Sequence, residues 1–313
     1  VLLPVGISFY TFQALGYLID VYRQEIKAEK HFGIYALFVS FFPQLVAGPI
    51  ERSRNLLPQF RKEHKFDYDR ARSGFVLMLW GFFKKLVIAD RVSILVNEVY
   101  KDPSSYEGPY HVIALILFAV QIYCDFSAYS DIARGASRVM GFDLMNNFDS
   151  PYTAFSITDF WRRWHISLST WFRDYVYFPL GGNRSGEARM YVNLFLVFLI
   201  SGLWHGANTT FVIWGALHGG YIVLERLTYK FRTSLYAELK WGKEQWHYRL
   251  FHWGLTFALV NLAWLFFRAD SLGDATIVLS KLIHWKHGAF SIDGLWELIG
   301  SKGIFNRLLS LCF

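Results

Sequence analysis

The run MYVNLFLVFLISGLWHGA, residues 190–207, decides the fold. It carries no Asp, Glu, Lys or Arg, and its length approaches the roughly 20 residues that an α-helix needs to cross a hydrocarbon layer. Comparable apolar stretches recur at roughly 5–19, 32–48, 74–96, 110–128, 210–225, 250–267 and 275–285. Soluble cores use shorter apolar runs, so the chain reads as all-α, a multi-spanning transmembrane helical bundle. Composition agrees. Of 313 residues, 53% are hydrophobic and 19% aromatic, with a mean hydropathy of +0.23, too apolar for an ordinary soluble domain.

The stretches between the apolar runs differ in charge, and that difference predicts a topology. Residues 49–73 hold Arg52, Arg54, Arg61, Lys62, Lys65, Arg70 and Arg72, whereas 97–109 offer Lys101 against Glu98, Asp102 and Glu107. Arginines recur through 129–189, Lys and Arg again enrich 226–249, and 268–274 is poorly basic. The expectation is that 49–73, 129–189 and 226–249 are cytoplasmic. The net charge of +7 is spread among these loops instead of gathered on one face, which argues against a nucleic-acid partner.

Two features depart from simple spanning helices. Lys84, Lys85 and Asp90 interrupt 74–96, and charges at membrane depth must pair, snorkel or face a water-filled cavity. Residues 129–189 are too long for a plain loop and are rich in Trp, Tyr and Phe, which predicts short interfacial or re-entrant helices. No fixed-period repeat or low-complexity segment is present. Cys124 and Cys312 both sit in apolar surroundings and read as packing residues. The start at Val1-Leu2-Leu3-Pro4 and the close at Phe313 inside an apolar run suggest one domain, 1–313, drawn from within a longer chain with further spanning helices before it.

Among ten histidines, His205 lies inside an apolar run between Gly202 and Gly206, and an intramembrane ionisable residue is a functional candidate. The competing reading is a neutral histidine bonded to a neighbouring helix. A second cluster, Asp159-Phe160-Trp161-Arg162-Arg163-Trp164-His165, suits an interfacial helix or a site for an anionic group, while Asp159 and one of the arginines could simply pair across a turn. His218 raises the question of a metal, but no two of His165, His205 and His218 are three or four apart, so no metal is expected. Serine-hydrolase and phosphate-loop signatures are absent. Asp125, Ser127 and Asp131 follow an apolar segment and read as helix-to-helix hydrogen-bonding groups; two carboxylates six apart form no dyad.

The blocks Phe160 to Ser169, Tyr175-Val176-Tyr177-Phe178-Pro179-Leu180-Gly181-Gly182-Asn183-Arg184 and Gly202-Leu203-Trp204-His205-Gly206 resemble the membrane-bound O-acyltransferase family, in particular a bacterial branch that handles alginate acetylation. Pro4 to Gln13 and Phe42 to Ile50 resemble the same branch. The resemblance implies a helical bundle around a tunnel, in a bacterial cytoplasmic (inner) membrane. It also implies transfer of an acetyl group from a cytoplasmic thioester to hydroxyls of an exported polysaccharide. The donor would be acetyl-CoA or a similar thioester, with no bound cofactor, and the partners membrane lipid and a secreted or membrane-anchored acetyltransferase. It makes His205 the catalytic residue and His165 the second site histidine. Trp161, Arg162, Arg163 and Trp164 are then candidates for donor binding, and Trp204 and Asn208 for substrate contacts beside His205. Another wall polymer or a lipid as acceptor stays open, as does a transport subunit gated by His205. Asn208-Thr209-Thr210 stands where the family often has an aromatic residue, which bears on acceptor preference.

Overall fold

The computed structural model describes residues 6–242 and 244–284. Val1 to Val5 and Cys312, used above, lie outside them. The described residues form helices and connecting turns, with no strand among them.

The helices follow the apolar runs. First come α1 (Ile7–Tyr22), α2 (Phe32–Ser40), α3 (Phe42–Leu45) and α4 (Ser53–Leu56). Then α5 (Tyr68–Phe82) passes through a π-helical stretch, Phe83–Ala89, into α6 (Asp90–Lys101). The long α7 (Gly108–Val139) precedes two short helices, α8 (Ile157–Arg163) and α9 (Ile166–Phe172). The chain continues with α10 (Glu187–His205), α11 (Thr209–Leu227), α12 (Tyr229–Glu238), α13 (Trp246–Arg268) and α14 (Leu272–Ile283). By length and composition α7, α10 and α13 can each cross a membrane. The run 32–48 is not one helix: the chain breaks at Phe41 (φ −60°, ψ 104°), because Pro43, in the first turn of α3, has no amide to donate and its ring would clash with the Val39 carbonyl of a continuous helix.

Contacts divide the chain into two compact units. Among the described residues, the first comprises 6–85, 125–153 and 158–190. Its core gathers Tyr17, Phe38, Phe41, Leu56 and Leu57 with Ala133 and Leu144. Here α5 lies against the second half of α7 at Gly74 and Gly135, where a Cβ on either glycine would meet the other's carbonyl oxygen at 2.6 Å. Two lysines of the interrupted segment find acids on the same stretch of α7. Lys84 Nζ bonds Asp131 Oδ2 at 2.7 Å and Ser127 Oγ at 2.8 Å, and Lys85 Nζ reaches Asp125 Oδ1 at 2.8 Å. The opposite side of α5 exposes Phe75, Val76, Leu79 and Trp80, a contiguous apolar strip suited to lipid.

Among the described residues, the second unit comprises 86–124, 154–157, 191–242 and 244–284. In it α11 packs on α13, and α14 packs on both. Trp214 of α11 and Trp264 of α13 stack with centroids 6.0 Å apart. α10 and α11 form a tight hairpin. A Cβ on Gly202 would stand 2.3 Å from the Phe211 carbonyl oxygen, and one on Gly215 would stand 2.4 Å from that of Phe198. Gly202 is therefore required by the neighbouring helix backbone.

Candidate active-site elements

In the first unit, α8 and α9 meet at His165, whose backbone is left-handed (φ 43°, ψ 55°). That turn is held from outside: the Ile166 amide donates to the Asn147 carbonyl at 2.9 Å and the Asp149 amide to the Arg163 carbonyl at 2.9 Å. The Asn147 side chain, fully buried, fixes the chemistry of the imidazole. Its Oδ1 accepts the Ser167 amide at 3.1 Å and the Ser167 hydroxyl at 2.9 Å, and it lies 3.1 Å from His165 Nδ1. A backbone amide can only donate, so this atom is the acceptor and Nδ1 must carry the proton. Nε2 is then the basic nitrogen of a neutral His165. Phe126 packs edge-on against the ring at 4.6 Å.

The residues preceding His165 separate into different roles. Trp161 and Trp164 are buried, and Phe160 stacks on Trp164 at 5.5 Å. Arg163 Nε pairs with Asp159 Oδ1 at 3.0 Å, one helical turn back, and its Nη1 reaches Thr153 Oγ1 at 3.3 Å. Arg162 is exposed, with no ion pair among the described residues.

Sequence reasoning missed a polar network beside these helices. Arg52, nearly buried, bonds Asp174 Oδ2 at 2.9 Å and lies over the Tyr175 ring at 4.5 Å. The Tyr175 hydroxyl donates to Asp20 Oδ1 at 2.6 Å. Burial first, and then the Asp20 carboxylate, raise the Tyr175 phenol above its ordinary range. An adjoining cavity of about 720 Å³ is lined by Arg23, Arg54, Arg173 and Arg184 together with Asp20, Glu25 and Asp174. The available signal was the recurrence of arginine in two separate basic stretches, but nothing in the spacing says that they converge.

In the second unit, His205 is the last residue of α10. Four rings surround it: Trp204 at 4.6 Å, Trp214 and Phe267 both at 5.1 Å, and Phe211 at 6.1 Å. Its side chain makes no hydrogen bond among the described residues, so its nitrogens are open to an incoming group. Asn208 caps α11, its Oδ1 accepting the Thr210 amide at 3.2 Å, and its Nδ2 donates to the Asp270 carbonyl at 3.0 Å. Both ends of that amide are thus engaged in holding the turn after His205. His218, one turn beyond Trp214, is fully buried and packs 5.2 Å from that ring.

Described residues that form helices without strands, with three helices long and apolar enough to cross a bilayer and histidines set at helix breaks, define a helical membrane protein. The membrane-bound O-acyltransferase family model matches residues 29–267, and the chain belongs to that family. It is 44% identical over 298 residues to a probable alginate O-acetylase of Pseudomonas syringae pv. tomato, covering 95% of this chain and 54% of that protein. It is 39% identical over 311 residues to a peptidoglycan O-acetyltransferase of Helicobacter pylori, covering 90% of this chain and 57% of that protein. A teichoic acid D-alanyltransferase of Bacillus subtilis is 30% identical over 225 residues, 68% of this chain and 56% of that protein. The chain therefore spans about half the length of the curated relatives it matches.

Proposed function

We propose that this chain supplies part of a multi-pass O-acyltransferase of a bacterial cytoplasmic membrane. It would move an acetyl group from a cytoplasmic thioester toward hydroxyls of an exported polysaccharide. The observation that carries the reading is His205, an imidazole free of hydrogen bonds inside a wall of four rings, in the Trp-His-Gly block of a chain that belongs to an acyltransferase family. Neutral His205 takes the proton of the acceptor hydroxyl as its oxygen attacks the thioester carbonyl carbon. The C–S bond then breaks, and the proton passes to the leaving thiolate. No protein nucleophile is needed, and the aromatic wall excludes water that would otherwise hydrolyse the acyl group. The whole protein is proposed to work with a secreted or membrane-anchored acetyltransferase that places the group on the polymer.

His165 is proposed as the second functional histidine, its tautomer set by Asn147. For the donor, Arg162 is the member of the Trp161 to Trp164 group whose guanidinium is open. The arginine-lined cavity of the first unit offers further charge for a phosphate-bearing thioester such as acetyl-CoA. Trp204 is proposed to contact substrate through its place in the His205 wall, and Asn208 to act by holding that turn. A wall polymer as acceptor is a second reading, supported by the peptidoglycan O-acetyltransferase match, which extends over 90% of this chain.

The test is acetyl transfer by the full-length protein in its membrane, with donor binding measured in parallel. Loss of a positioned base costs about 10²–10⁴ in rate. His205→Ala should lose that much while still binding donor, and His205→Gln should recover little, because an amide cannot take the proton. His165→Ala should retain measurable transfer. Near-normal transfer by either His205 variant would overturn the mechanism.

A further inference from the structure

Residues from the end of α11 through Gly242, together with the start of α13, line a second cavity, of about 570 Å³, inside the second unit. Its lining combines three chemistries. Tyr229, Tyr236, Trp241 and Tyr248 supply aromatic faces, Arg232 and Lys240 supply positive charge, and Glu225 supplies one carboxylate. The wall is purpose-shaped by the chain reversal after α12. Lys240 adopts a left-handed backbone (φ 53°), the Trp241 amide donates back to the Tyr236 carbonyl at 2.8 Å, and the two rings stack at 6.1 Å. Tyr248 and His252, one turn apart on α13, close the other side against Tyr236 at 5.4 and 5.3 Å.

Two polar atoms at this lining lack the partners their burial calls for. Arg232 donates through Nη2 to the Glu225 carbonyl at 2.8 Å, but its buried Nε has no hydrogen-bond partner. His252, 6% exposed, has the same deficit at Nε2. Buried polar groups are normally paired, so the pair of orphans marks a place completed by something that brings its own hydrogen-bonding atoms.

Depth identifies what that something is. α13 has 23 residues, enough for a span of about 35 Å, and the cavity is built on its first two turns. The cavity thus sits at the end of a membrane-crossing helix, where headgroups lie. α12 turns Arg232 and Tyr236 toward the cavity, which Lys240 joins from the reversal just beyond the helix, while Phe231, Leu235 and the following Leu239, spaced four apart, form a separate exposed apolar stripe. Such a stripe is costly in water and favourable against acyl chains. We propose that the cavity binds the headgroup of a membrane phospholipid of the phosphoethanolamine type. The phosphate diester lies on Arg232 and Lys240, and the ammonium lies among the tyrosine and tryptophan faces on the Glu225 side. One headgroup accounts for the cations, the carboxylate and the rings together, which a purely anionic group does not.

The test is native mass spectrometry of the full-length protein released from detergent micelles supplied with dioleoyl phosphatidylethanolamine, dioleoyl phosphatidylglycerol, glycerophosphoethanolamine or AMP. One phosphatidylethanolamine should be retained in preference to the other three. Arg232→Gln with Lys240→Gln should weaken it about tenfold or more, as expected for lost hydrogen bonds to a charged group. Glu225→Gln should erase the preference over phosphatidylglycerol, and Lys230→Gln, outside the lining, should change nothing. If the double variant folds poorly, Lys240→Gln alone, at an exposed residue, carries the test with a smaller loss. Equal retention of phosphatidylglycerol would overturn the ammonium site, equal binding of glycerophosphoethanolamine or AMP would overturn the lipid, and undiminished retention by the charge variants would overturn the location.

Discussion

Glu51 shows how one buried side chain can report on the packing of the first unit. It is 2% exposed in the loop after α3, and it accepts the backbone amide of Met145. Burial pushes its carboxyl from 4.5 up to about 7, against the opposing pull of the Met145 and Arg52 amides and the Arg52 charge. Between those two values the folded state holds a proton that the unfolded chain has released, so stability falls as pH rises through this window and is lowest above it. Glu51→Gln keeps an acceptor and removes the charge. It should raise the thermal midpoint at pH 8 by the equivalent of up to about 3 kcal/mol, and the gain should vanish near pH 4.5; a pH-independent gain would contradict this account. No sequence pattern marks Glu51, because its pairing with Met145 links positions far apart in the chain. His165 was legible as a motif residue, but its tautomer was not, since that depends on the Asn147 amide, buried beside it by the same turn.

Among the elements, the π-helical stretch between α5 and α6 explains a charge pattern that apolar periodicity alone left unresolved. Lys84 and Lys85 interrupt an apolar run and so need partners, a pocket of water or a route to the interface, and Asp125, Ser127 and Asp131 read as helix-to-helix hydrogen-bonding groups, but nothing in the spacing joins the two sets. They are each other's partners, with Lys84 and Asp131 side chains 7% and 17% exposed. Removing one member of such a pair leaves an uncompensated charge and costs about 3–5 kcal/mol, whereas replacing both by apolar groups is far less costly. Lys84→Met and Asp131→Leu should therefore each lower the unfolding midpoint strongly, and the double variant should be more stable than either. Additive losses would mean that the two charges do not act as a pair. The short helices α8 and α9 were anticipated from the aromatic content of 129–189. Which of Arg162 and Arg163 pairs with Asp159 was left open by helix geometry, and the structure selects Arg163.

For the whole molecule, the alternation of basic and acidic loops predicts that 49–73 and 226–249 share one side of the membrane and 97–109 faces the other. Single cysteines labelled by an impermeant reagent test this. Ser53 is unsuitable for the first loop because it is buried, its hydroxyl 3.3 Å from Asp20 Oδ2. Exposed Lys65 serves instead, with Ser104 and Ser234 for the other loops. Lys65→Cys and Ser234→Cys should label from the same side and Ser104→Cys from the other; labelling of all three from one side would refute the topology.

By itself the sequence determined the class of fold, the helical content and the two histidine blocks. These depend on local quantities: the length of an apolar run, the charge of a loop, the order of residues in a motif. Only the tertiary structure decided that Gly202 serves a helix crossing, that Asn208 caps and anchors a turn, that Trp161 and Trp164 are buried, and that arginines from separate stretches line one cavity. Those outcomes follow from contacts between residues distant in the chain. A side chain's surroundings there are set by which backbone packs against it, and no period or spacing along one segment encodes that choice.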